Sequence, residues 1–144
     1  TRLEIQMLET TLLIDPQLDS QLRSAPIAWI GTVRPDGTPH LVPVWFQWDG
    51  ETFLFFAQPN DQKIRNLVNS ADIVLGIPMN PEATNVSIIH GRAELVQQVA
   101  QRSLPADYVA KYRNQIDEYG WTEAGLADQY TVPVRVRPTK LVGW

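Results

Sequence analysis

Lys63 stands at the start of a short predicted helix, where its charge could bind an anion. The preceding residues Gln58-Pro59-Asn60-Asp61 are typical of a turn with Asp61 as the expected cap, and helical spacing follows at Ile64, Leu67 and Val68. A helix N-terminus presents free backbone N–H groups, and Lys63 adds a full positive charge in the first turn. This combination suits a phosphate. Taken alone, the periodicity instead favours Lys63 and Arg65 as the solvated face of an amphipathic helix.

A proline inside a predicted strand marks a second candidate position. Because Pro43 cannot donate to a β-ladder, the segment Pro43-Val44-Trp45 has a gap, at an edge or a bulge, where a planar ligand could approach. Trp45 would offer such a ligand a stacking surface. A tryptophan in a strand is more often part of the core, and the sequence leaves both interpretations open.

The histidines and serines offer little for metal or nucleophilic chemistry. His40 and His90 lie on different predicted strands without a paired carboxylate at ligand spacing, so we expect no metal site. The sequence contains no cysteine, no G-x-S-x-G elbow, no P-loop and no dinucleotide fingerprint. We therefore identify no catalytic residue and interpret both histidines as structural strand positions.

The composition indicates one soluble domain. A chain of 144 residues can bury its own core, and the absence of cysteine fits a reducing compartment, so we expect a cytoplasmic protein. The formal net charge of −4 would repel nucleic acid and anionic lipid. The apolar run Leu12-Leu13-Ile14 is far shorter than the roughly 20 residues that span a bilayer. We therefore expect neither nucleic acid nor a membrane as a partner.

Most of the chain has β-type patterning. Residues 28–48 indicate a β-hairpin around the turn Pro35-Asp36-Gly37. Further strands are predicted at 53–56, at 73–77, at 86–96 with a bulge near Gly91, and from about Thr131 to a limit at Pro138. Sequential short strands favour a closed or nearly closed barrel, because closure leaves no edge to aggregate.

Helical segments precede and interrupt the strands. Asp15-Pro16 is a good helix start within an N-terminal extension of residues 1–25, whose first fourteen residues leave strand and helix open. Residues 97–130 form a predicted insertion of one or two helices, with a second start near Thr122. Its apolar stripe is formed by Tyr108, Tyr112 and Ile116. We interpret residues 1–144 as a single domain.

Four motifs, in register along the chain, resemble those of the pyridoxamine-phosphate-oxidase-like flavin split barrels. They are Trp29-Ile30-Gly31-Thr32-Val33, Pro35-Asp36-Gly37-Thr38-Pro39, Pro43-Val44-Trp45-Phe46 and Gln62-Lys63-Ile64-Arg65-Asn66-Leu67. Residues 110–113 and 132–140 resemble a branch of small FMN- or deazaflavin-dependent enzymes, and the likeness extends from about Pro26 onward. It implies a mostly β fold, a six-stranded antiparallel split barrel of FMN-binding type. It also implies a homodimer with two cofactors in grooves at the subunit interface.

The resemblance implies cofactor-binding roles for five residues. The family's phosphate-binding lysine falls on Lys63. The strand backbone that lines the flavin ring falls on Pro43, Val44 and Trp45. Gln58 takes the polar position after the third strand.

Three weaker assignments and one departure follow from the same resemblance. Thr32 on the first hairpin strand is a partial match, and Arg65 and Arg92 would contribute to a basic groove for the acidic tail of a deazaflavin. The residues after the last strand, which include Trp144, resemble a tail that lies near the partner's cofactor groove in this branch. There the Trp144 indole would either stack on a flavin or only pack on the barrel end or the dimer interface. Related proteins often have an arginine two residues before the lysine. This chain has Asp61 there, which removes positive charge beside the expected phosphate.

The implied activity is that of a flavin-dependent oxidoreductase with FMN as cofactor and an unknown small molecule as substrate. The acidic chain and Asp61 favour FMN over the deazaflavin coenzyme, and a deazaflavin-dependent reductase is the first alternative. A non-catalytic protein that holds flavin or haem is the second, and a haem ligand would require an exposed histidine. Oxidation of pyridoxamine phosphate itself is not expected, since the chain is short and the family's later substrate motif of arginine and histidine has no match.

Overall fold

The β-patterned segments form eight strands in a computed structural model that describes residues 3–6, 14–96 and 103–143. The strands are β1 Leu3–Gln6, β2 Ala28–Val33, β3 Pro39–Val44, β4 Gln47–Trp48, β5 Phe53–Ala57, β6 Asp72–Pro78, β7 Val86–Leu95 and β8 Val132–Gly143. The helices of the same residues are α1 Pro16–Ser24, α2 Gln62–Asn69, α3 Ala106–Lys111, α4 Arg113–Glu118 and α5 Glu123–Gln129.

The order of the strands forces the sheet to curl. Seven strands follow one another as β3-β2-β6-β7-β8-β5-β4, neighbours are antiparallel, and β1 pairs with β8. Strands β3 and β4 lie at opposite ends of this order, yet only Trp45 and Phe46 separate them in the chain. On a flat sheet the two ends would lie roughly 29 Å apart, whereas three residue steps span at most about 10 Å. The two ends therefore come together at this link.

The predicted mostly β antiparallel fold is confirmed, but the expected number of six strands is wrong. The second hairpin strand breaks after Val44, and its continuation Gln47–Trp48 pairs with β5 instead of β2. The segment Leu3–Gln6, which the pattern left open, adds a strand along β8.

Strand β8 continues through Pro138, which the sequence predicted as its limit. Its ladder with β7 shifts register between His90 and Gly91, so that Thr139 is an extra residue on β8. The predicted bulge near Gly91 is thereby confirmed. Pro138 lies between the parts of β8 that pair with β5 and with β1, so its missing N–H costs the ladder little. A Cβ atom at position 91 would lie 2.7 Å from the carbonyl oxygen of Arg137, which is too close, so only glycine fits at this bulge without a shift of the backbone.

Two groups of buried side chains fill the protein. The larger lies inside the curled sheet and includes Ile30, Phe53, Phe55, Ile77, Val134 and Val136. Helix α1 adds Leu22 to it, and the predicted start of this helix is confirmed, since the Asp15 carboxylate accepts the N–H of Leu18 at 2.8 Å. The second group packs α3 and α4 against β5 and consists of Phe56, Tyr108, Val109, Tyr112 and Ile116.

The described part of the insertion, residues 103–130, contains three short helices instead of one or two. The chain leaves helical geometry at Tyr112, between α3 and α4, and again at Gly120, where φ is +71°. The predicted start of the last helix is confirmed, because the Thr122 hydroxyl accepts the N–H of Gly125 at 3.0 Å. The insertion folds back over the link between β3 and β4, where Lys111 and Tyr112 form hydrogen bonds with the backbone of Phe46.

Candidate functional site

A cavity of about 490 Å³ lies where the β3–β4 link, the β5–α2 turn and the helical insertion meet. The link contributes Pro43, Val44 and Trp45, and the turn and helix contribute Gln58, Asp61 and Lys63. The insertion contributes Leu104, Tyr108, Tyr119, Trp121, Leu126 and Tyr130, and Ile27 and Phe56 complete the lining. The volume is in the range of small-molecule sites, and the lining combines apolar surface with a few polar groups.

The charged part of the cavity is built from an ion pair. The Lys63 ammonium donates to Asp61 Oδ2 at 2.8 Å, and only 15% of the lysine side chain is exposed. The same carboxylate oxygen accepts the backbone N–H of Gln58 at 3.0 Å. Asp61 occupies the N-cap position of α2 as expected, but its side chain does not cap the helix. It instead ties the turn to Lys63.

Asp61 is ionised at neutral pH. Burial opposes its ionisation, but hydrogen bonds from Lys63 and from the Gln58 N–H, with the charges of Lys63 and Arg65, hold the pKa of Asp61 below its usual range. The lysine charge is therefore partly balanced within the cavity. An anion that binds here shares the ammonium with a carboxylate.

Trp45 is both a cavity wall and part of a packed cluster. Its ring stacks on Tyr112 with centroids 4.3 Å apart and planes 3° from parallel. The ring of Trp121 lies 5.8 Å away at 50°. One face of Trp45 packs on Tyr112 while the residue still lines the cavity, and its use as a ligand surface stays a prediction.

Tyr112 fixes the β3–β4 link in place. Its hydroxyl accepts the N–H of Phe46 at 2.9 Å and donates to the carbonyl of Pro26 at 2.7 Å. The ring is 1% exposed. Sequence reasoning found Tyr112 only as part of an apolar stripe, because helical spacing carries no sign of partners far along the chain. Tyr112 therefore positions Trp45 from behind the cavity.

Lys111 is a half-buried lysine beside the same link. Its ammonium donates to the carbonyl of Phe46 at 2.7 Å and lies 3.8 Å from the centre of the Phe46 ring. The ring contact favours the charged form, yet burial lowers the pKa of Lys111 to about 8. Sequence reasoning did not select this lysine for chemistry.

The low pKa of Lys111 predicts a pH dependence of stability. Below about pH 8 the lysine is charged in both the folded and the unfolded chain, and the burial cost is present in full. Between about pH 8 and its ordinary pKa of 10.5, only the unfolded chain stays protonated, so the folded state gains stability as the pH rises.

The comparison of the wild type with Lys111→Met isolates this effect from other titrations. Urea unfolding from pH 7 to about pH 9.5 is expected to shift the stability difference by about 1 kcal/mol in favour of the wild type; partial exposure keeps the shift below that of full burial. A difference that stays constant with pH would show that Lys111 titrates normally.

The family of the chain follows from its sequence over almost the whole length. Residues 14–144 match the profile of the pyridoxamine 5'-phosphate oxidase family. The chain belongs to that family. No curated protein sequence is significantly similar to this member of the family.

Solved structures share its fold. An F420 reductase is 29% identical, with a TM-score of 0.65 over 89% of this chain and 98% of that chain. An FAD-binding protein from Mesorhizobium loti is 14% identical, with a TM-score of 0.66 over 99% and 95% of the two chains. HutZ, a haem storage protein from Vibrio cholerae, is 12% identical, with a TM-score of 0.64 over 89% and 92%. The last two likenesses concern the fold alone.

In this family member, five of the eight residues predicted to bind the cofactor line the cavity. They are Lys63, Gln58, Pro43, Val44 and Trp45. The lining does not include Thr32 or Arg65, and Trp144 lies outside the described residues. Neither histidine lines the cavity.

Thr32 and Arg65 are joined by a chain of side-chain hydrogen bonds that runs inward along α2. Arg65 donates to Gln62 at 2.6 Å, and Gln62 donates to Asn66 at 2.8 Å. Asn66, which is fully buried, donates to the Thr32 hydroxyl at 2.9 Å. The bond between Asn66 and Thr32 holds α2 against β2, and the cofactor-binding roles of Thr32 and Arg65 stay predictions.

Two further observations concern metals and membranes. In the described ranges, no three His, Asp or Glu side chains are grouped so that they could hold a metal ion. Among the helices of those ranges, none is long and apolar enough to cross a bilayer.

Proposed function

We propose that this protein is an oxidoreductase that binds FMN in the cavity, with the phosphate at Lys63 and the flavin ring along the β3–β4 link. The observation that carries the proposal is that Lys63 and residues 43–45 line one cavity, although 18 to 20 positions of sequence separate them. Membership of the family and the likeness to an F420 reductase support it.

The residues present fit a phosphorylated planar cofactor. Lys63 and the amide groups at the start of α2 supply donors for a phosphate, and the half-buried position of the ammonium strengthens such bonds. The backbone of residues 43–45 provides an edge along which a ring system can lie. A bound flavin would supply the hydride or electron transfer. The protein's part is to anchor, orient and shield.

Asp61 is expected to lower the affinity of the cavity for the cofactor phosphate. It already accepts a hydrogen bond from Lys63, so a phosphate gains less there than it would beside an unpaired lysine. The carboxylate also repels a phosphate dianion. We infer that Asp61 weakens cofactor binding without preventing it.

A deazaflavin-dependent reductase is the second candidate. The specific observation in its favour is the 29% identity with an F420 reductase over most of both chains. The basic groove expected for an acidic cofactor tail has little support, since Arg65 is bound to Gln62 and Arg92 pairs with Asp72. We therefore retain FMN as the first candidate.

The absorption spectrum of the purified protein, alone and after addition of each cofactor, tests the proposal. FMN, deazaflavin and haem have distinct spectra, and the bound cofactor is expected to be FMN and to be reduced by a nicotinamide donor. A colourless protein that takes up none of these compounds would contradict the proposal. Uptake of haem without flavin would replace it with a non-catalytic storage role.

A second copy of the chain is the proposed partner. The outer face of β2 and β3 carries large exposed apolar side chains, with Trp29 42%, Val33 43% and Leu41 63% exposed. Pro43, which lines the cavity, pairs with Trp29 in the ladder and so lies beside this patch. Apolar patches of this kind mark interfaces. We infer a homodimer whose contact lies at the mouth of the cavity.

Replacing Leu41 by aspartate is expected to produce a monomer, because a charge in the centre of an apolar contact is left unpaired. Light scattering measures the change in mass. Val68→Asp is the matched control, since Val68 is 71% exposed and lies outside this patch. A wild-type protein that is already monomeric, or an L41D protein that stays dimeric, would contradict the proposed interface.

A further inference from the structure

Two aromatic side chains of the insertion are exposed although they are large and apolar. Tyr119 is 63% exposed and Trp121 is 47% exposed. Their rings stack with centroids 4.9 Å apart and planes 26° from parallel. Trp121 also lies 5.8 Å from Trp45, and all three residues line the cavity. We call Trp45, Tyr119 and Trp121 the aromatic wall.

The aromatic wall is held in place by the turn that contains it. The N–H of Trp121 donates back to the carbonyl of Ile116 at 3.0 Å, and Gly120 takes the left-handed conformation that ends α4. Arg113 then binds Asp117 at 2.9 Å and Glu123 at 2.6 Å, one carboxylate before the turn and one after it. The two rings are therefore presented to the cavity by a fixed turn, which lowers the entropy cost of binding.

The charges around the wall disfavour an anion. The described part of the insertion, residues 103–130, has five acidic residues and two basic ones. Arg113 is bound to two carboxylates, and the Lys111 ammonium is directed at the carbonyl of Phe46. Of the described residues that line the cavity, the cation is Lys63, which already pairs with Asp61, so a negatively charged ligand at the wall would find no unpaired cation there.

We propose that the aromatic wall is the substrate site and that the substrate is a planar, uncharged, conjugated molecule. Flat aromatic faces favour a flat ligand that stacks on them, and the surrounding charge favours a neutral one. Trp45 belongs both to the wall and to the link that holds the cofactor ring, so a ligand on the wall lies against the reacting part of the cavity. This inference rests on the proposed function for its reaction, but the site itself is defined by the wall.

Binding of three matched probes to the FMN-loaded protein tests this site by calorimetry. Naphthol is planar and neutral, naphthalene sulfonate is planar and anionic, and decahydronaphthol is neutral but not planar. Naphthol is expected to bind roughly tenfold more tightly than either of the others. Trp121→Ala should weaken naphthol binding by about tenfold, while Trp121→Phe, which keeps a ring, should weaken it by less than about threefold.

Controls on the same samples separate this inference from the proposed function. Titration with FMN is expected to give dissociation constants that differ by less than about threefold between the wild type and both Trp121 variants, because Lys63 and the β3–β4 link are unchanged. Failure of the wild type to bind FMN would refute the proposed function, and naphthol binding is then measured without cofactor. Equal binding of the three probes, or no effect of W121A on naphthol, would overturn the inference. A W121A protein that changes from dimer to monomer would overturn it too, because the wall would then be a subunit contact.

Discussion

Replacing Lys63 by alanine is expected to weaken FMN binding by about 50-fold, whereas Arg65→Ala should change it by less than about threefold. The difference arises from position. Lys63 lines the cavity with a side chain that is 15% exposed, so its hydrogen bond to a phosphate is charge-assisted and partly shielded from water. Arg65 lies two residues further along α2, where it donates to the Gln62 side chain and to the carbonyl of Asn60.

Fluorescence titration of FMN into the three proteins measures this effect. Both variants remove one positive charge from the same helix, so a long-range field would weaken binding equally in the two. Similar losses in K63A and R65A would therefore show that α2 attracts the phosphate without a specific contact at Lys63. Wild-type affinity for FMN in K63A would show that the phosphate does not bind in this part of the cavity.

Replacing Tyr112 by phenylalanine is expected to lower the free energy of unfolding by about 2 kcal/mol. The Tyr112 hydroxyl is buried and serves both the N–H of Phe46 and the carbonyl of Pro26. Loss of this oxygen leaves the buried N–H of Phe46 without its partner, and an unsatisfied buried group costs about 1–3 kcal/mol, whereas water can reach the carbonyl of the exposed Pro26. The ring itself is retained, so the stacking on Trp45 does not account for the change.

Chemical denaturation of Y112F and of Tyr119→Phe provides the comparison. Tyr119 is 63% exposed, so removal of its hydroxyl is expected to change stability by less than about 0.5 kcal/mol. We also expect Y112F to bind FMN more weakly, because the β3–β4 link loses the contact that fixes Trp45. Equal stabilities of Y112F and the wild type would mean that water replaces the hydroxyl and that the link does not depend on Tyr112.

Local chemistry made part of the fold predictable. The hairpin turn at residues 35–37 and the helix starts at Asp15 and Thr122 depend on neighbouring residues, and all are present. The continuation of β8 through Pro138 was not predictable, since it depends on which strands lie on either side. The separation of β3 from β4 was not predictable for the same reason, since the curling of the sheet depends on how all its strands pair.

In the candidate site, too, some residues were predictable from the sequence and others depend on the whole fold. Resemblance to a family pointed to Lys63 and to residues 43–45, and the fold brings them to one cavity. The sequence could not indicate that Tyr112 reaches Phe46 and Pro26, which are 66 and 86 positions away. Tyr119 and Trp121 also gave no signal, because two aromatics around a glycine are common. Their role depends on the turn at Gly120, beside which Tyr119 stacks on Trp121 and Trp121 lies 5.8 Å from Trp45.

Asp61 changes how the phosphate assignment is interpreted. On the sequence it was a departure from the family's pattern and an expected helix cap. In the structure its carboxylate lies 2.8 Å from the Lys63 ammonium and holds the β5–α2 turn through Gln58. The lysine is thus pre-positioned by the same group that competes with the phosphate for it. This explains how a lysine near the expected phosphate can coexist with a negative neighbour.

The most direct test of the central claim compares FMN with riboflavin, which lacks only the phosphate, in the wild type and in K63A. If Lys63 binds the phosphate, the wild type should prefer FMN by about 50-fold, and K63A should retain a preference of less than about fivefold with unchanged riboflavin affinity. A preference for FMN that persists in K63A, or equal losses for both ligands, would contradict the assignment of the phosphate to Lys63.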